Sequence, residues 1–163
     1  MQRVIPAILT ADPMELREGL KQLKEQTNWV HIDIMDGKFV PNTSVSLFEL
    51  GEASQFFNLE IHLMVEDPVK YLEDCKAAGA KRVIFHIEAA NAAMVLQKID
   101  EYEFQKAVAI NPSTPVFKIA PYVEKLDAVL VMSVNPGFQG QEFIADVVKK
   151  ISEVRLLKRD ILI

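Results

Sequence analysis

Two side chains in the first part of this 163-residue chain, His31 and Asp33, suggest acid–base or metal chemistry. His31 and Asp33 alternate with apolar residues over residues 29–35. Such alternation predicts a β-strand with one apolar face and one face that carries an imidazole and a carboxylate. Burying a carboxylate beside an imidazole is costly unless the two are paired, hydrogen-bonded or bound to a metal. The stretch therefore favours either a metal-binding acid/base site or a strand with a satisfied His–Asp pair.

The other two histidines stand on later predicted strands. His62 and His86 each lie near a predicted carboxyl end, and His31 is placed in the same way. A (β/α)8 barrel gathers side chains from several strand ends into one site. We therefore expect His31, Asp33 and His62 to converge at a barrel mouth. Two imidazoles and one carboxylate suit zinc, iron(II), manganese or cobalt, so this group is a candidate site for one divalent metal ion.

Strands and helices alternate along the chain. Apolar runs predict strands at residues 4–9, 29–35, 59–64, 81–87, 106–110 and 127–132, and the opening of a seventh strand at 159–163. Helices are predicted from Asp12 onward and at residues 46–57, 67–79, 91–99, 114–121 and 143–157. Several strands are apolar on both faces, which indicates a parallel sheet covered by helices. A doubly wound sheet and a barrel both fit this order. The lack of Gly-x-Gly-x-x-Gly after any strand and the histidine positions favour the barrel.

Composition excludes several classes of protein. The hydrophobic fraction is 50% and the charged fraction 25%, which is typical of one globular domain over residues 1–163. A net charge of −5 and the lack of a basic stripe argue against a nucleic-acid partner. The single cysteine, Cys75, excludes an internal disulfide framework and fits a reducing compartment. No apolar run is long enough for a signal peptide or a membrane span, so we predict a cytoplasmic protein without a membrane partner.

Five stretches carry a more specific pattern. They are His-Ile-Asp-Ile-Met-Asp-Gly-Lys-Phe-Val-Pro-Asn at 31–42, His-Leu-Met at 62–64, His-Ile-Glu at 86–88, Asn-Pro-Ser-Thr-Pro at 111–115 and Met-Ser-Val-Asn-Pro-Gly-Phe-Gln-Gly-Gln at 132–141. In this order they resemble the motifs of the ribulose-phosphate 3-epimerase family, and the resemblance covers the whole chain. It implies an α/β fold of the (β/α)8 TIM-barrel type. It also implies an isomerase of pentose phosphate metabolism that interconverts D-ribulose 5-phosphate and D-xylulose 5-phosphate at C3.

The resemblance also assigns roles to individual residues. It implies that Asp33 is the base that removes the C3 proton, which gives an enediolate, and that His31, Asp33 and His62 bind one divalent metal ion. The substrate-contacting set that it implies is Ala7, Met35, His62, Met64, Met132, Gly137, Phe138, Gln139 and Gly140. The three methionines would form a soft apolar wall, although they are equally compatible with plain core residues. His86 and Glu88 are expected to support the ligands or the fold rather than to bind the ion.

Two positions depart from the family pattern. Ala7 stands where the family usually has a serine whose hydroxyl contacts substrate, and Gln139 replaces a common glycine. In the family the seventh strand leads into Glu-Val-Asp-Gly-Gly, whose aspartate is the acid on the opposite face and a fourth ligand. The sequence stops at Ile163, before that motif. We therefore expect a C-terminally truncated barrel of about six βα units and the start of strand 7, with open sheet edges that favour a homo-oligomer.

Alternative functions remain within and outside this class. A C3 epimerase of a six-carbon ketose phosphate, such as allulose 6-phosphate, would use the same groups. An inactive metal-binding or structural fragment of such a barrel would retain a metal ion without turnover. Metal-independent barrels that decarboxylate similar compounds carry Asp-x-Lys-x-x-Asp. They are disfavoured because residues 31–33 read His-Ile-Asp and supply no lysine.

Overall fold

A computed structural model describes residues 4–89 and 91–163, and within them six parallel strands form one sheet in chain order. The strands are β1 (Ala7–Ile8), β2 (Trp29–Met35), β3 (Asn58–Met64), β4 (Ala80–His86), β5 (Gln105–Ile110) and β6 (Ala128–Val131). The α-helices are α1 (Pro13–Leu23), α2 (Leu72–Ala77), α3 (Ala92–Glu101) and α4 (Val147–Leu157). Neighbouring parallel strands joined by helical connections form a curled half-barrel. This architecture confirms the predicted incomplete (β/α)8 TIM-barrel fold.

The two faces of the sheet have different chemistry. The outer face packs against the helices through a continuous core that includes Val30, Ile32, Ile34, Leu59, Ile61, Leu63, Val83, Phe85, Val108, Ile110 and Val129. Each fully buried side chain of this kind stabilises the fold by about 1.5–3 kcal/mol relative to an exposed one. The intervening residues of β2, β3 and β4 turn polar side chains to the inner face, whereas β5 and β6 place alanines there. Packing of the apolar outer face against the helices therefore fixes the strands that carry the polar side chains of the inner face.

The register of the strands places the candidate ligands side by side. Asp33 of β2 is paired with His62 of β3, and His31 is paired with Glu60. Paired residues of neighbouring parallel strands point to the same face, so these four side chains lie together on the inner face. His31 occupies the third of the seven positions of β2, so its prediction near a carboxyl end is wrong. It lies one inward-facing position before Asp33, closer to the amino end of the strand.

Strand β1 is shorter than the sequence predicts. It contains Ala7–Ile8 alone instead of residues 4–9, although Pro6 still accepts a backbone hydrogen bond from His31 at 2.8 Å. The predicted opening of a seventh strand is a single parallel bridge between Leu162 and Ala128. The apolar run at the end of the chain thus lies beside β6, as expected for the next strand of a barrel.

Several predicted helices are shorter or have a tighter 3-10 geometry. Residues 46–57 form two 3-10 turns instead of one helix, and Gly51, with φ 53°, separates them. Residues 67–79 begin with a 3-10 turn before α2, and residues 114–121 hold a 3-10 turn in place of a helix. Helix α4 begins at Val147 instead of residue 143, because the N–H of Ile144 donates to the carbonyl of Ser133. That bond fixes the residues before α4 to the preceding loop.

Helix α1 begins where its sequence predicts. The Asp12 carboxylate accepts a hydrogen bond from the N–H of Met14 at 2.8 Å, and Pro13 occupies the first helical position. Both residues are favoured at helix starts because the first N–H groups have no partner within the helix. The longest α-helices among residues 4–89 and 91–163 have 11 residues, and none of them is long and apolar enough to cross a membrane.

Asp36 joins the two loops that follow the candidate ligands. Its Oδ1 accepts hydrogen bonds from the N–H groups of Lys38 and Phe39, both at 2.9 Å, and its Oδ2 accepts one from Glu66 at 2.8 Å. Partial burial opposes ionisation, but these N–H groups outweigh it and lower the pKa of the carboxyl below its usual value. The carboxylate therefore ties the segment after β2 to the segment after β3.

Replacing Asp36 tests this connection. We expect Asp36→Asn to lower the free energy of unfolding at pH 7 by about 1–2 kcal/mol, because an amide cannot accept all three bonds. Since the folded pKa lies below the ordinary value of about 4, the carboxylate stabilises the fold above that pH and loses this effect in stronger acid. Urea unfolding from pH 7 to pH 2 should show the two proteins converging. A constant difference over this range would contradict the role of the charge.

Candidate metal and active site

His31, Asp33 and His62 bring their ligand atoms together on the inner face. These atoms all lie within 4.8 Å of one another. Asp33 Oδ1 is 3.2 Å from His31 Nε2 and 2.7 Å from His62 Nδ1. The structure therefore assembles the three residues that the sequence singled out, with the carboxylate between the two rings.

The donor set fits a divalent metal ion. Two imidazole nitrogens and a carboxylate oxygen are ligands that zinc and its neighbours among the transition metals accept. The other nitrogen of each ring is held by a partner: His31 Nδ1 is 2.7 Å from Glu60 Oε1, and His62 Nε2 is 2.9 Å from His86 Nε2. Ligating histidines characteristically have their second nitrogen fixed in this way, which sets the orientation of the ring.

Burial and charge act differently on the two histidines. Burial disfavours the His31 imidazolium, but hydrogen bonds to Asp33 and Glu60 outweigh it and raise the pKa to about 9. At His62 burial is the larger effect and lowers the pKa to about 4, although the bond to Asp33 opposes it. Burial also opposes ionisation of Asp33, yet the hydrogen bonds from both rings hold the pKa of this carboxyl well below its usual range. At neutral pH Asp33 is thus an anion that faces the His31 imidazolium and the neutral His62 imidazole.

A buried ion pair supports His31 from behind. Glu60 uses one carboxylate oxygen toward His31 and accepts a hydrogen bond from Arg82 with the other. Arg82 also donates to Gln105 Oε1 from Nε and Nη2 at 3.1 and 2.9 Å, and its guanidinium lies 4.6 Å from the centre of the Trp29 ring. Glu60 and Arg82 are not among the site residues that the sequence predicts. The available signal was their alternation with apolar residues on β3 and β4, which places both on the polar face.

A second set of contacts supports His62. His86 has no exposed surface, and its Nδ1 lies 3.2 Å from Glu88 Oε2. Glu88 Oε1 accepts a hydrogen bond from the N–H of Asn111 at 2.9 Å. Burial opposes ionisation of Glu88, but hydrogen bonds from His86, Thr114 and Asn111 lower its pKa to about 2. His86 and Glu88 therefore lie behind a candidate ligand and outside the group of three.

Two of the three methionines form an apolar cluster next to the candidate ligands. Met35 and Met64 are paired at the ends of β2 and β3 and are buried together with Val40. Met132 follows β6, is partly buried and lies outside this cluster of described residues. Met35 and Met64 thus form apolar surface directly beyond Asp33 and His62 in the strand direction.

The loop after β6 reaches across to the first two strands. The carbonyl of Gly137 accepts a hydrogen bond from Asn42 Nδ2 at 3.0 Å, and the side-chain amide of Gln139 donates to the carbonyl of Leu9. Gly137 has φ 112°, and a Cβ there would lie 3.0 Å from Val40, so a side chain would push the loop away. The sequence singled out Gly137 as a substrate contact, and neither its approach to Val40 nor the hydrogen bond from Asn42 was predicted.

The remaining predicted substrate contacts lie around that loop. Phe138 is about half exposed, and Gly140 lies in open space. Together with Leu9, Met35 and Asn42, Phe138 and Gln139 line a cavity of about 210 Å³. Ala7 is exposed on β1 and is paired with His31. The predicted contacts therefore lie on the same inner face or at the mouth above it.

Comparisons with known proteins give a consistent result. The model of the Ribulose-phosphate 3 epimerase family matches residues 3–161. A ribulose-phosphate 3-epimerase of Bacillus subtilis (strain 168) is 39% identical, over 100% of this chain and 79% of the relative. One of Synechocystis is 37% identical, over 93% of this chain and 69% of the relative. One of Schizosaccharomyces pombe is 34% identical, over 94% of this chain and 70% of the relative.

The Glu60–Arg82 pair gives a testable difference between buried and exposed ion pairs. We expect Arg82→Met to lower the free energy of unfolding by about 3–5 kcal/mol, because it leaves the Glu60 carboxylate buried without its cation. The matched control is Lys98→Met, which breaks the exposed pair with Glu101 and should leave the free energy of unfolding nearly unchanged, because solvent screens that pair. Urea denaturation of both variants measures these costs. Equal losses would contradict the supporting role of Arg82.

Proposed function

Since the chain belongs to the ribulose-phosphate 3 epimerase family, we propose that it interconverts D-ribulose 5-phosphate and D-xylulose 5-phosphate at C3. The observation that carries this proposal is the convergence of Asp33 with His31 and His62 on the inner face, with ligand atoms within 4.8 Å of one another. The names of the three relatives support the pentose phosphate as substrate. Epimerisation needs a base that reaches the C3 proton, and in this proposal that base is Asp33.

Asp33 acts as the base in this proposal. The C3 proton is acidified by the neighbouring C2 carbonyl, and its transfer to Asp33 leaves an enediolate. Epimerisation then needs a proton returned to C3 from the opposite face, a role that the resemblance assigns to the aspartate of the Glu-Val-Asp-Gly-Gly motif, which is not among residues 1–163. The Asp33 carboxylate is held by hydrogen bonds from both imidazoles, and its side chain is 14% exposed, so it is fixed in position but still accessible from the mouth. A fixed, ionised carboxylate can take a proton without first losing one of its own.

Three side chains would hold one divalent ion, which we propose to be zinc, iron(II), manganese or cobalt. The ligand atoms are His31 Nε2, a carboxylate oxygen of Asp33 and His62 Nδ1. When bound, such an ion supplies Lewis-acid stabilisation of charge on the carbonyl oxygen. Glu60 and His86 orient the two rings, and Met35 and Met64 limit access of water from one side.

Substrate recognition is assigned to the inner face and to the loop after β6. We propose that a phosphorylated ketose contacts the residues that the sequence resemblance singled out. They are Ala7, Met35, His62, Met64, Met132, Gly137, Phe138, Gln139 and Gly140. The backbone around Gly137 can approach the sugar closely because no Cβ intervenes. Ala7 offers no hydroxyl, so the chain lacks one hydrogen bond that a serine would donate, worth about 1 kcal/mol.

Organisation and location complete the proposal. We propose that residues 1–163 act as one barrel-type domain in the cytoplasm and associate as a homo-oligomer. The single cysteine suits a reducing compartment, and Cys75 is buried, which raises the pKa of its thiol to about 12 and keeps it unreactive at neutral pH.

Solvent exchange tests the reaction and the role of Asp33 together. The folded chain is incubated with Mn²⁺ and D-ribulose 5-phosphate in heavy water, and NMR follows deuterium at C3 and formation of D-xylulose 5-phosphate. We expect deuterium at C3, because Asp33 removes and returns the proton on one face, and we expect Asp33→Asn to slow this exchange by about 10²–10⁴-fold, because an amide is a poor base. D-xylulose 5-phosphate forms as well where a proton is returned from the opposite face. Asp146→Asn removes an exposed carboxylate and should leave the rate unchanged. Full activity of Asp33→Asn would refute the proposed base.

Removal of metal separates the proposal from its alternatives. Chelation should abolish both NMR signals, and readdition of Mn²⁺ or Zn²⁺ should restore them. Faster turnover of allulose 6-phosphate than of ribulose 5-phosphate would favour the six-carbon epimerase. A folded chain that retains metal but gives neither signal would favour the inactive fragment.

A further inference from the structure

We propose that Glu88, acting through His86, fixes His62 in the tautomer that leaves its Nδ1 free for a metal ion. The inference rests on the metal site of the proposed function and assigns to Glu88 and His86 a positioning role at that site. The three side chains form a hydrogen-bonded series, which we call the Glu88–His86–His62 triad. It runs from the mouth loop after β4 to the candidate ligand on β3.

The triad is continuous and enclosed. His86 Nδ1 lies 3.2 Å from Glu88 Oε2, and His86 Nε2 lies 2.9 Å from His62 Nε2. The planes of the two hydrogen-bonded rings are inclined by 27° with centroids 4.9 Å apart, and the Phe39 ring contacts His86 with a centroid separation of 4.8 Å. His86 has no exposed surface, and His62 is 1% exposed. Solvent therefore has no surface on His86 from which to replace either partner.

The direction of the hydrogen bonds follows from what each group can donate. A carboxylate only accepts, so His86 Nδ1 must donate to Glu88. A neutral imidazole has one N–H, so His86 Nε2 then carries a lone pair and must accept from His62 Nε2. When a metal ion lies between His62 and Asp33 in place of the Nδ1–H···Oδ1 hydrogen bond, His62 keeps its single proton on Nε2, and the lone pair of its Nδ1 is available to the ion. A metal ligand needs that lone pair.

Glu88 is fixed as an acceptor by the segment that follows β5. Its Oε1 accepts a hydrogen bond from the N–H of Asn111 at 2.9 Å, and the hydroxyl of Thr114 also bonds to the carboxylate. A backbone N–H can only donate, so this arrangement cannot reverse. The loop after β5 holds Glu88 as the acceptor for His86, and through Glu88 it influences which nitrogen of His86 carries the proton.

His31 needs the opposite tautomer and has a different partner. Its Nδ1 lies 2.7 Å from Glu60 Oε1, which leaves Nε2 toward Asp33. His62 instead presents Nδ1 to Asp33, at 2.7 Å. The Glu60 carboxylate thus acts directly on His31, whereas the Glu88 carboxylate acts on His62 through His86. Glu88, on the loop after β4, contacts His86 and not His62, so it acts on His62 through the His86 ring.

The Glu88→Gln variant should exchange the donor and acceptor roles in the hydrogen bonds of the triad. If the amide oxygen keeps the bond from Asn111, its NH₂ group must donate to His86 Nδ1. His86 then carries its proton on Nε2, which points at His62 Nε2 and moves the His62 proton to Nδ1, where a metal would bind. We therefore expect Zn²⁺ affinity to fall by about 10–100-fold, the usual effect of losing a partner behind a ligand. The residue changed touches neither the metal nor any ligand.

The experiment combines Zn²⁺ titration against a chromophoric chelator with long-range ¹H–¹⁵N spectra of the labelled histidines in the full chain. The Zn²⁺-loaded protein should show His62 protonated on Nε2 and His86 on Nδ1. Thr114→Val removes a bond to the same carboxylate without touching His86, so it should keep Zn²⁺ affinity within about threefold while lowering the melting temperature. If Glu88→Gln loses Zn²⁺ affinity and Thr114→Val does not, the loss comes from the changed His62 tautomer and not from a less stable loop.

Two outcomes would overturn the inference. The first is that the Glu88→Gln variant binds Zn²⁺ as tightly as the unmodified chain and keeps the His86 proton on Nδ1. The other is His86 protonated on Nε2, or on both nitrogens, in the Zn²⁺-loaded unmodified chain, a result that is available even if the variant does not fold. Failure of the unmodified chain to bind Zn²⁺ at all would instead refute the metal site of the proposed function, on which the inference depends.

Discussion

The contact of one carboxylate with two imidazoles, all largely buried in the inner face of a parallel sheet, is the constraint on which the rest of the site depends. Asp33 is stable there because His31 and His62 each lie within 3.2 Å of the same oxygen. Each ring is in turn held by a further partner, and this polar layer is enclosed by the aliphatic core on the opposite face of the same strands. The cost of burying charge is thereby offset by hydrogen bonds, and the ligand atoms remain arranged for a cation.

Strand adjacency explains why a reaction centre can form on this sheet. In a parallel sheet with strands in chain order, residues about 29 positions apart become direct neighbours, as Asp33 and His62 do. Two inward positions of β5 are alanines, Ala107 and Ala109, which leave room where longer side chains would fill the half-barrel. The loop after β6 contacts Asn42 and Leu9 through the Gly137 carbonyl and the Gln139 side chain, so it reaches from the last strand of the sheet to the segments that follow the first two.

The sequence predicts the elements and the three central residues well, and their partners poorly. Alternation locates β2 at its observed bounds, and the histidines identify the site because buried imidazoles are rare without a role. Glu60 and Arg82 are harder to foresee, since their meaning depends on the register between β3 and β4, which includes a shift between Leu59 and Glu60. The 3-10 turns in place of predicted helices reflect tertiary packing and Gly51, because local apolar periodicity does not distinguish the two helix types.

The central claim is that His31, Asp33 and His62 bind one divalent metal ion, and anomalous diffraction from crystals grown with Mn²⁺ or Zn²⁺ tests it most directly. The geometry predicts one anomalous peak about 2.0–2.2 Å from His31 Nε2, an Asp33 carboxylate oxygen and His62 Nδ1. The rings should keep their contacts to Glu60 and His86. A metal-loaded crystal without a peak among these three atoms, or with the peak at His86 and Glu88 instead, would contradict the claim.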